Sequence, residues 1–225
     1  QYGTYNYALA IAALFSPLVA LGLKDIVIRD IVRKPEDKDE LLGATFGLKF
    51  VGSLLALGLA IGIGAITQPD DALTRLLIAI MAGQFVFAAL NETLDCWFQS
   101  QVQAKYTVWA KNIGALIIAI VKIGLILYKA PLIAFAWAAL CQVFIFTIVL
   151  AAFHRTSQQR LAAWKLSFLR ARSLLTNSWP LILSDVAIMI YLRIGQVMLG
   201  NMANKEALGL YSAATRLSEL WYFIP

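Results

Sequence analysis

Four charged side chains lie inside long apolar segments of the chain, where ionised groups are uncommon. Three are cationic, namely Lys49, Lys122 and Arg193, and the fourth is the acid Asp185. Insertion of an ionised side chain at the bilayer centre costs about 2.5–3.5 kcal/mol, so such groups usually face a polar cavity, a paired charge or a ligand. We therefore predict that these four residues line a substrate cavity. An alternative for Lys49 and Lys122 is that their long stems extend to the membrane interface.

The spacing of these groups limits how they pair. Asp185 and Arg193 are eight residues apart, about 12 Å along a helix, so a direct bond between them is not expected. Each then requires a neighbouring helix, water or a ligand as its partner. Three cations against one deep acid favour a cavity that attracts anions, such as the diphosphate of a lipid-linked sugar.

Two further pairs of charged residues have the i, i+3 spacing that places side chains on one helix face. Glu92 and Asp95 form the first pair, and Arg216 and Glu219 form the second. Both pairs lie within or at the ends of apolar segments. We predict a coupling or gating role for these four residues.

Six apolar segments, each long enough to cross a bilayer, carry these side chains. They cover residues 4–23, 41–66, 73–95, 108–128, 132–153 and 178–199, and a seventh apolar run occupies 209–225. A crossing helix needs about 20 residues. Hydrophobic residues make up 60% of the chain and charged residues only 14%, whereas a soluble domain is about one quarter charged. The sequence therefore predicts an all-α polytopic membrane protein and excludes an ordinary soluble domain.

Cationic residues are distributed unevenly between the two sides of these segments. Eleven lie on one side, five of them from Lys24 to Lys38 and five from Arg155 to Arg172. The other side has two, or three when Arg75 is included. The positive-inside rule places the richer side in the cytoplasm. This asymmetry accounts for most of the net charge of +6, and no nucleic-acid partner is expected.

A short sequence motif occurs twice, each time at the start of an apolar segment. Its two copies are Gly3-x-Tyr5-x-x-Ala8 and Gly209-x-Tyr211-x-x-Ala214. Six spans lie from the first copy to the second, so both should be on the same, outer face. This pattern is typical of a parallel duplication in transporters, here of two six-helix halves. We expect an N-terminal half bundle with five spans in 1–153, a basic cytoplasmic linker in 154–177, and the start of a C-terminal half bundle in 178–225.

Glycines one helical turn apart indicate where helices approach closely. Gly43 and Gly47 have this spacing, and so do Gly58 and Gly62. A small residue at both positions removes side-chain bulk from one stripe of the helix. Both pairs are therefore predicted to contact neighbouring backbone.

Motifs for catalysis are missing from the sequence. It contains no G-x-x-x-x-G-K-[ST] nucleotide loop, no G-x-S-x-G elbow and no H-E-x-x-H helix. His154, the one histidine, is interpreted as an interfacial anchor at the end of a span. Cys96 and Cys141 lack metal-ligand spacing and are interpreted as buried thiols. We expect no cofactor, no metal site and no enzymatic activity.

Several strings along the chain resemble one family of transporters. Five strings lie in the second half, in the order Ser178-Trp-Pro-Leu-Ile-Leu-Ser184, Ile190-Tyr-Leu-Arg-Ile194, Val197-Met-Leu-Gly200, Gly209-Leu-Tyr-Ser-Ala-Ala214 and Arg216-Leu-Ser-Glu-Leu-Trp-Tyr-Phe-Ile-Pro225. In the first half, Asp95-Cys-Trp-Phe-Gln99 precedes Lys105-Tyr-Thr-Val-Trp-Ala-Lys111. In this order and spacing they resemble the polysaccharide-transporter family of the multidrug/oligosaccharidyl-lipid/polysaccharide flippase superfamily. The resemblance covers the whole chain and implies that its spans are about helices two to eight of a fold with two six-helix halves, so we expect a piece of a longer protein.

This resemblance implies a flippase that moves an undecaprenyl-diphosphate-linked oligosaccharide across the bacterial inner membrane, for O-antigen, capsule or exopolysaccharide assembly. Its partners would be the lipid-linked substrate, membrane lipids and polysaccharide polymerase machinery. The two halves would rock about a central site, with Gly22, Gly195 and Gly200 able to absorb backbone changes. The family often has an acidic residue after the Arg-Ile pair, where this chain has Gly195.

Two other functions remain open at this point. A drug or cation antiporter of the same superfamily would favour acidic residues in its cavity. A membrane-embedded polysaccharide polymerase or ligase would be expected to have a large outward loop that holds Arg and His, and the segments between these spans contain none.

Overall fold

The computed structural model describes residues 2–156, 164–202 and 205–219, and these are almost entirely helical. The helices are α1 (Tyr2–Leu14), α2 (Pro17–Ala20), α3 (Lys24–Arg33), α4 (Lys38–Thr67), α5 (Ala72–Ser100), α6 (Ala104–Leu127), α7 (Leu132–Thr156), α8 (Phe168–Met202) and α9 (Lys205–Glu219), with a 3-10 turn at Pro35–Asp37 before α4. Helix α9 contains the start of the predicted seventh run, and residues 220–225 lie outside the described residues.

Six helical segments of the described chain are long and apolar enough to cross a membrane, which confirms the predicted all-α polytopic class. They are Tyr2–Arg33, Pro35–Thr67, Ala72–Ser100, Ala104–Leu127, Leu132–Thr156 and Phe168–Met202. Each corresponds to one predicted span, and the fourth ends one residue before the predicted end at 128. Most extend past the predicted ends because a helix continues into the interface, where polar side chains are solvated.

The first span differs from the prediction because it is not one continuous helix. Helix α1 ends at Leu14, and Pro17 then begins the short α2. Proline has no amide hydrogen to donate into the preceding turn, so it is suited to the start of a new helix. Leu21 and Gly22 follow with positive φ angles of 52° and 57°, and the chain turns there into α3.

Helix α3 replaces what the charge pattern indicated was a basic loop. It buries Ile26, Val27 and Ile31 and leaves Lys24 and Arg29 exposed. Apolar residues at positions i, i+1 and i+5 share one helical face, so the charges fall on the opposite face. The segment therefore covers the end of the bundle instead of extending away from it.

Helix α8 begins ten residues before the predicted span, within the region expected to be a linker. Its first turns carry Phe168 and Leu169, both strongly exposed, and it passes through Pro180 without ending. Ahead of it, Trp164 packs against the ring of Phe46 at a centroid distance of 5.9 Å. Residues 157–163 of the linker lie outside the described residues.

Two clusters of buried side chains stabilise the bundle. One includes Tyr7, Ile11 and Met81, and the other includes Leu42 and Phe98. Helices α4 and α7 both pack along α5, and α6 packs along α7. Because lipid is as apolar as these side chains, close van der Waals contact provides more of the stabilisation here than removal from water does.

Glycine contacts differ between the two predicted pairs. At Gly43 a Cβ would collide with the backbone of Lys165, and at Gly47 it would lie 3.0 Å from the side chain of Leu166. Gly58 and Gly62 have no described neighbour within 4 Å of such a Cβ, so the prediction is wrong for them within the described part of the chain. The four-residue spacing of the glycines identifies a helix face without side chains. It does not identify which neighbouring segment, if any, packs against that face.

The two copies of the repeated motif are in contact in the folded protein. A Cβ placed on Gly209 would lie 3.4 Å from the backbone nitrogen of Gly3 and 3.7 Å from its Cα. Helices α1 and α9 pack against each other at this point. Contact between equivalent residues is expected for two repeats related by a two-fold axis along the membrane normal.

Candidate functional site

A cavity of about 420 Å³ lies at the end of the bundle where α3 starts and α5 ends. It is the end that the positive-inside rule assigns to the cytoplasm. Its lining contains seven charged residues, namely Lys24, Asp25, Lys49, Glu92, Asp95, Lys111 and Asp185. The remaining lining includes Gly22, at the turn that joins α2 to α3, and Leu181 on α8. We call this space the charged cavity.

Lys49 and Glu92 form the most buried ion pair of the charged cavity. The Lys49 Nζ lies 2.5 Å from the Glu92 Oε2, and the two residues come from α4 and α5. The lysine side chain is 1% exposed, whereas the glutamate side chain is 39% exposed. An ammonium in such a place is stable because the carboxylate neutralises it, and removal of one partner would leave the other charge uncompensated.

A second ion pair lies one turn further along α5. The Lys24 Nζ is 3.3 Å from the Asp95 Oδ2, and the Gln99 side chain donates a hydrogen bond to the same oxygen at 2.8 Å. The Asp95 Oδ1 is buried and has no hydrogen-bond partner among the described residues. Glu92 and Asp95 therefore share a face, as their spacing predicted, and each holds a different lysine.

The balance of charge in this cavity differs from the expected excess of cations. Three lysines face four acids, so the lining has a formal charge of −1. Two of the acids are held in ion pairs with Lys49 and Lys24, which leaves Asp25 and Asp185 beside the exposed Lys111. The expected excess rests only on charges deep inside the predicted spans, whereas acids and lysines at the helix ends also line the opening.

The predicted cavity residues divide into two groups. Lys49 and Asp185 line the charged cavity, and so do Glu92 and Asp95, which were predicted to couple or gate. Lys122 is half-buried on α6, about 16 Å along the helix from Lys111, and is not part of this lining. The side chains of Arg216 and Glu219 lie outside the described residues.

Arg193 is also outside the charged cavity, further along α8. Its Nη1 lies 3.4 Å from the Gln196 Oε1, which is one turn away on the same helix. Its Nε is buried without a hydrogen-bond partner among the described residues. Arg193 therefore has a partner on its own helix, which was not expected from the spacing of Asp185 and Arg193. Its Nε–H is a buried donor without a described partner.

Lys24, Asp25 and Lys111 are the lining residues that the sequence argument missed. Lys24 and Asp25 lie between the first two predicted spans, and Lys111 lies in the first turn of the fourth. A signal was present in the amphipathic pattern of α3, because its apolar face predicts contact with the bundle and hence places its first residues over the opening.

The histidine and one of the two cysteines have environments that differ from those predicted. His154 is buried, with its ring centroid 4.8 Å from that of Trp97 and 6.0 Å from that of Trp164, so it is a core residue instead of an interfacial anchor. Cys96 is buried as predicted, but Cys141 is exposed on α7. Both thiols are free.

A smaller space of about 220 Å³ lies between α1, α5 and α7, and we call it the inner chamber. Its lining is mainly apolar, with Leu9, Met81 and Phe85, and it contains the polar Ser16 and Gln84. Glu92 lines both the inner chamber and the charged cavity. The carboxylate thus lies at the boundary between a charged compartment and an apolar one.

At the opposite end of the bundle, helices α1, α8 and α9 are in contact. The Tyr7 hydroxyl donates to the Asn201 Oδ1 at 2.8 Å, and the Gln68 amide approaches the same oxygen at 3.4 Å. A Cβ on Gly200 would collide with the Tyr7 ring. This outer contact joins α8 to the N-terminal helices, so the described helices enclose a cavity at one end and touch at the other.

These features define a multi-pass helical membrane protein with a charged cavity on one side of its bundle. The chain belongs to the polysaccharide biosynthesis protein family, which it matches over residues 1–221. This confirms the resemblance to the polysaccharide transporters of the flippase superfamily. Comparisons with curated proteins and with solved structures found no match.

Family membership assigns a general role in polysaccharide transport. Proteins of this family are typically transporters and not enzymes. The membership and the six apolar helices together indicate a multi-pass membrane protein of polysaccharide biosynthesis.

Proposed function

We propose that this protein is a flippase that carries an undecaprenyl-diphosphate-linked oligosaccharide from the cytoplasmic to the outer leaflet of a bacterial plasma membrane. The exported unit would serve O-antigen, capsule or exopolysaccharide assembly. A polymerase or ligase that acts on lipid-linked sugars in the outer leaflet would then consume it.

The observation that carries this proposal is the buried Lys49 in the wall of a cavity that reaches the predicted cytoplasmic end. A diphosphate that leaves water loses hydration, and an ammonium in a place of low dielectric constant compensates for that loss by charge-assisted hydrogen bonds. Lys111, which has no described acidic partner, is a second cation for the same anion.

The position of the outer contact is consistent with a transporter that opens one side at a time. The charged cavity would accept substrate from the cytoplasmic leaflet while the contact among α1, α8 and α9 holds the other side closed. Opening that contact and closing the cavity would complete a transport cycle. Arg193, further towards the outer end of α8, would meet the phosphate in the later part of that cycle.

The experiment is replacement of Lys49 by methionine in a bacterium that depends on this protein for a surface polysaccharide. We expect Lys49→Met to lower export by about tenfold or more, because one charge-assisted hydrogen bond contributes about 1.5–3 kcal/mol. Export is measured as surface glycan on intact cells, and membrane content of the protein is measured in parallel.

Lys122→Met is the matched control, because it removes the same charge from a position on α6 that is not part of the charged cavity. It is expected to leave export within about twofold of wild type, which is the effect expected of a surface substitution. Equal loss in both variants would contradict the role of the cavity. Normal export by a well-inserted Lys49→Met protein would contradict the proposal itself.

A drug or cation antiporter is the second candidate, and the four acids of the charged cavity favour it. Such a protein would confer resistance to cationic dyes, and Asp185→Asn would reduce that resistance. Dye efflux without any glycan export would contradict the flippase proposal and support the antiporter.

A further inference from the structure

Glu92 is the more exposed partner in the ion pair with the buried Lys49. The buried ammonium contributes to the lining of the charged cavity, yet it is only 1% exposed, while its carboxylate partner is 39% exposed. The part of the pair that meets solvent is therefore Glu92. An anion that enters the cavity reaches the carboxylate before it can reach the ammonium.

The Lys49 ammonium has capacity for another acceptor. It carries three N–H donors, and Glu92 is its one described ion-pair partner. Glu92 in turn lines the inner chamber as well, so a carboxylate that leaves Lys49 has space beside it on the other side.

We propose that Glu92 is an internal anion that competes with the substrate for Lys49. The diphosphate displaces the Glu92 carboxylate when it binds, and the carboxylate returns to Lys49 when the substrate leaves. This inference rests on the proposed function for the identity of the substrate. Glu92 is a positioning residue, since it acts on the substrate through Lys49.

Two physical properties make this exchange reversible. A diphosphate carries more charge than a carboxylate, so it has the stronger attraction to the ammonium at equal distance. The carboxylate is tethered next to Lys49 and acts at a high effective concentration. A transported ligand must be held firmly enough to enter and weakly enough to leave, and a tethered competitor meets both needs.

The first test measures binding of inorganic pyrophosphate to the purified protein in detergent. Glu92→Gln keeps the size of the side chain and removes its charge, so we expect pyrophosphate to bind about three- to tenfold more tightly than in wild type. Lys49→Met should abolish this gain when it is combined with Glu92→Gln.

Asp95→Asn is the matched control for the general effect of charge. It removes one negative charge from the same wall of the same cavity, one turn away on α5. Its lysine partner, Lys24, is already 53% exposed, so no buried ammonium is released. We expect this variant to bind pyrophosphate no more than about twofold more tightly. Equal gains in Glu92→Gln and Asp95→Asn would overturn the proposal.

Glu92→Asp is a second variant for the same pyrophosphate-binding measurement, for the case in which Glu92→Gln does not accumulate in the membrane. The shorter side chain retains its charge and loosens only its contact with Lys49, so binding should again become tighter than in wild type. Unchanged or weaker binding in Glu92→Asp would overturn the proposal.

Transport by reconstituted protein separates this inference from the proposed function. With a prenyl-diphosphate-linked glycan, Glu92→Gln is expected to bind more tightly and to turn over at least threefold more slowly, because the returning carboxylate no longer expels the substrate. A wild-type protein that transports the glycan while Glu92→Gln binds no more tightly supports the function and overturns the exchange. Tighter pyrophosphate binding with no glycan transport by the wild type supports the exchange and overturns the function.

Discussion

At the scale of single residues, the site depends on how each lysine is neutralised. Lys49 is held by Glu92 inside the protein, whereas Lys24 is held by Asp95 at an exposed position. An exposed pair contributes about 0–1 kcal/mol, but breaking a buried pair costs about 3–5 kcal/mol. Two ion pairs on one helix face thus have different consequences when they are broken.

Arg193 allows a prediction at this scale. Arg193→Ala is expected to lower glycan export by about tenfold, because the guanidinium has one buried donor, Nε, without a described partner and available to a phosphate. Arg193→Lys keeps the charge but loses the planar donor group, and it should retain an intermediate level. Export is measured on intact cells with equal membrane content. Undiminished export by Arg193→Ala would remove this residue from the transport path.

At the scale of elements, the turn between α2 and α3 shapes the opening of the charged cavity. Leu21 and Gly22 both adopt left-handed backbone conformations there, and a Cβ on Gly22 would lie 2.6 Å from the Leu181 Cβ. A side chain at this position meets both backbone strain and a packed neighbour on α8. The turn thereby brings α3 and α8 together over one space.

Gly22→Ala is therefore expected to destabilise the protein. The left-handed conformation costs about 1–2 kcal/mol for a residue with a Cβ, and the contact with Leu181 adds to this cost. Thermal unfolding in detergent should show a lower midpoint temperature. Gly58→Ala is the matched control, since Gly58 is helical and a Cβ there has no described residue within 4 Å, and it should be neutral or gain about 1 kcal/mol. A lower midpoint for Gly58→Ala alone would contradict the described packing.

At the scale of the whole molecule, the bundle combines a cavity at one end with close contact at the other. The contact joins equivalent glycines of the repeated motif, Gly3 and Gly209, and it is supported by the hydrogen bond from Tyr7 to Asn201. Backbones can approach this closely only where side chains are absent. Gly3 and Gly209 thus belong both to the repeated motif and to the contact at the closed end of the bundle.

A cysteine pair at Gly3 and Gly209 tests this arrangement. A Cβ on Gly209 would lie 3.7 Å from the Gly3 Cα, which is within reach of a disulfide. Oxidation is expected to cross-link α1 to α9 and to reduce glycan export by more than tenfold, and a reducing agent should restore it. Single cysteine variants serve as controls. Efficient cross-linking with normal export would contradict a cycle in which this contact opens.

The sequence determined the class of protein and the number of apolar spans. Insertion into a bilayer depends on the sum of transfer free energies over about 20 consecutive residues, and that sum is local to each segment. Glu92 and Asp95 were placed on one face for a similar reason, because the helical repeat fixes neighbours three residues apart. The spans in α4 to α7 and the family resemblance were both confirmed.

Only the tertiary structure decided which charges share a space. Lys49 and Glu92 are 43 positions apart, and their contact depends on how α4 and α5 are rotated about their axes, which one sequence does not reveal. The fold of α3 over the opening added Lys24 and Asp25 to the cavity, while Lys122 and Arg193 were left outside it. Hydrophobicity is additive along the chain, but the pairing of charges depends on distances that exist only after the helices have packed.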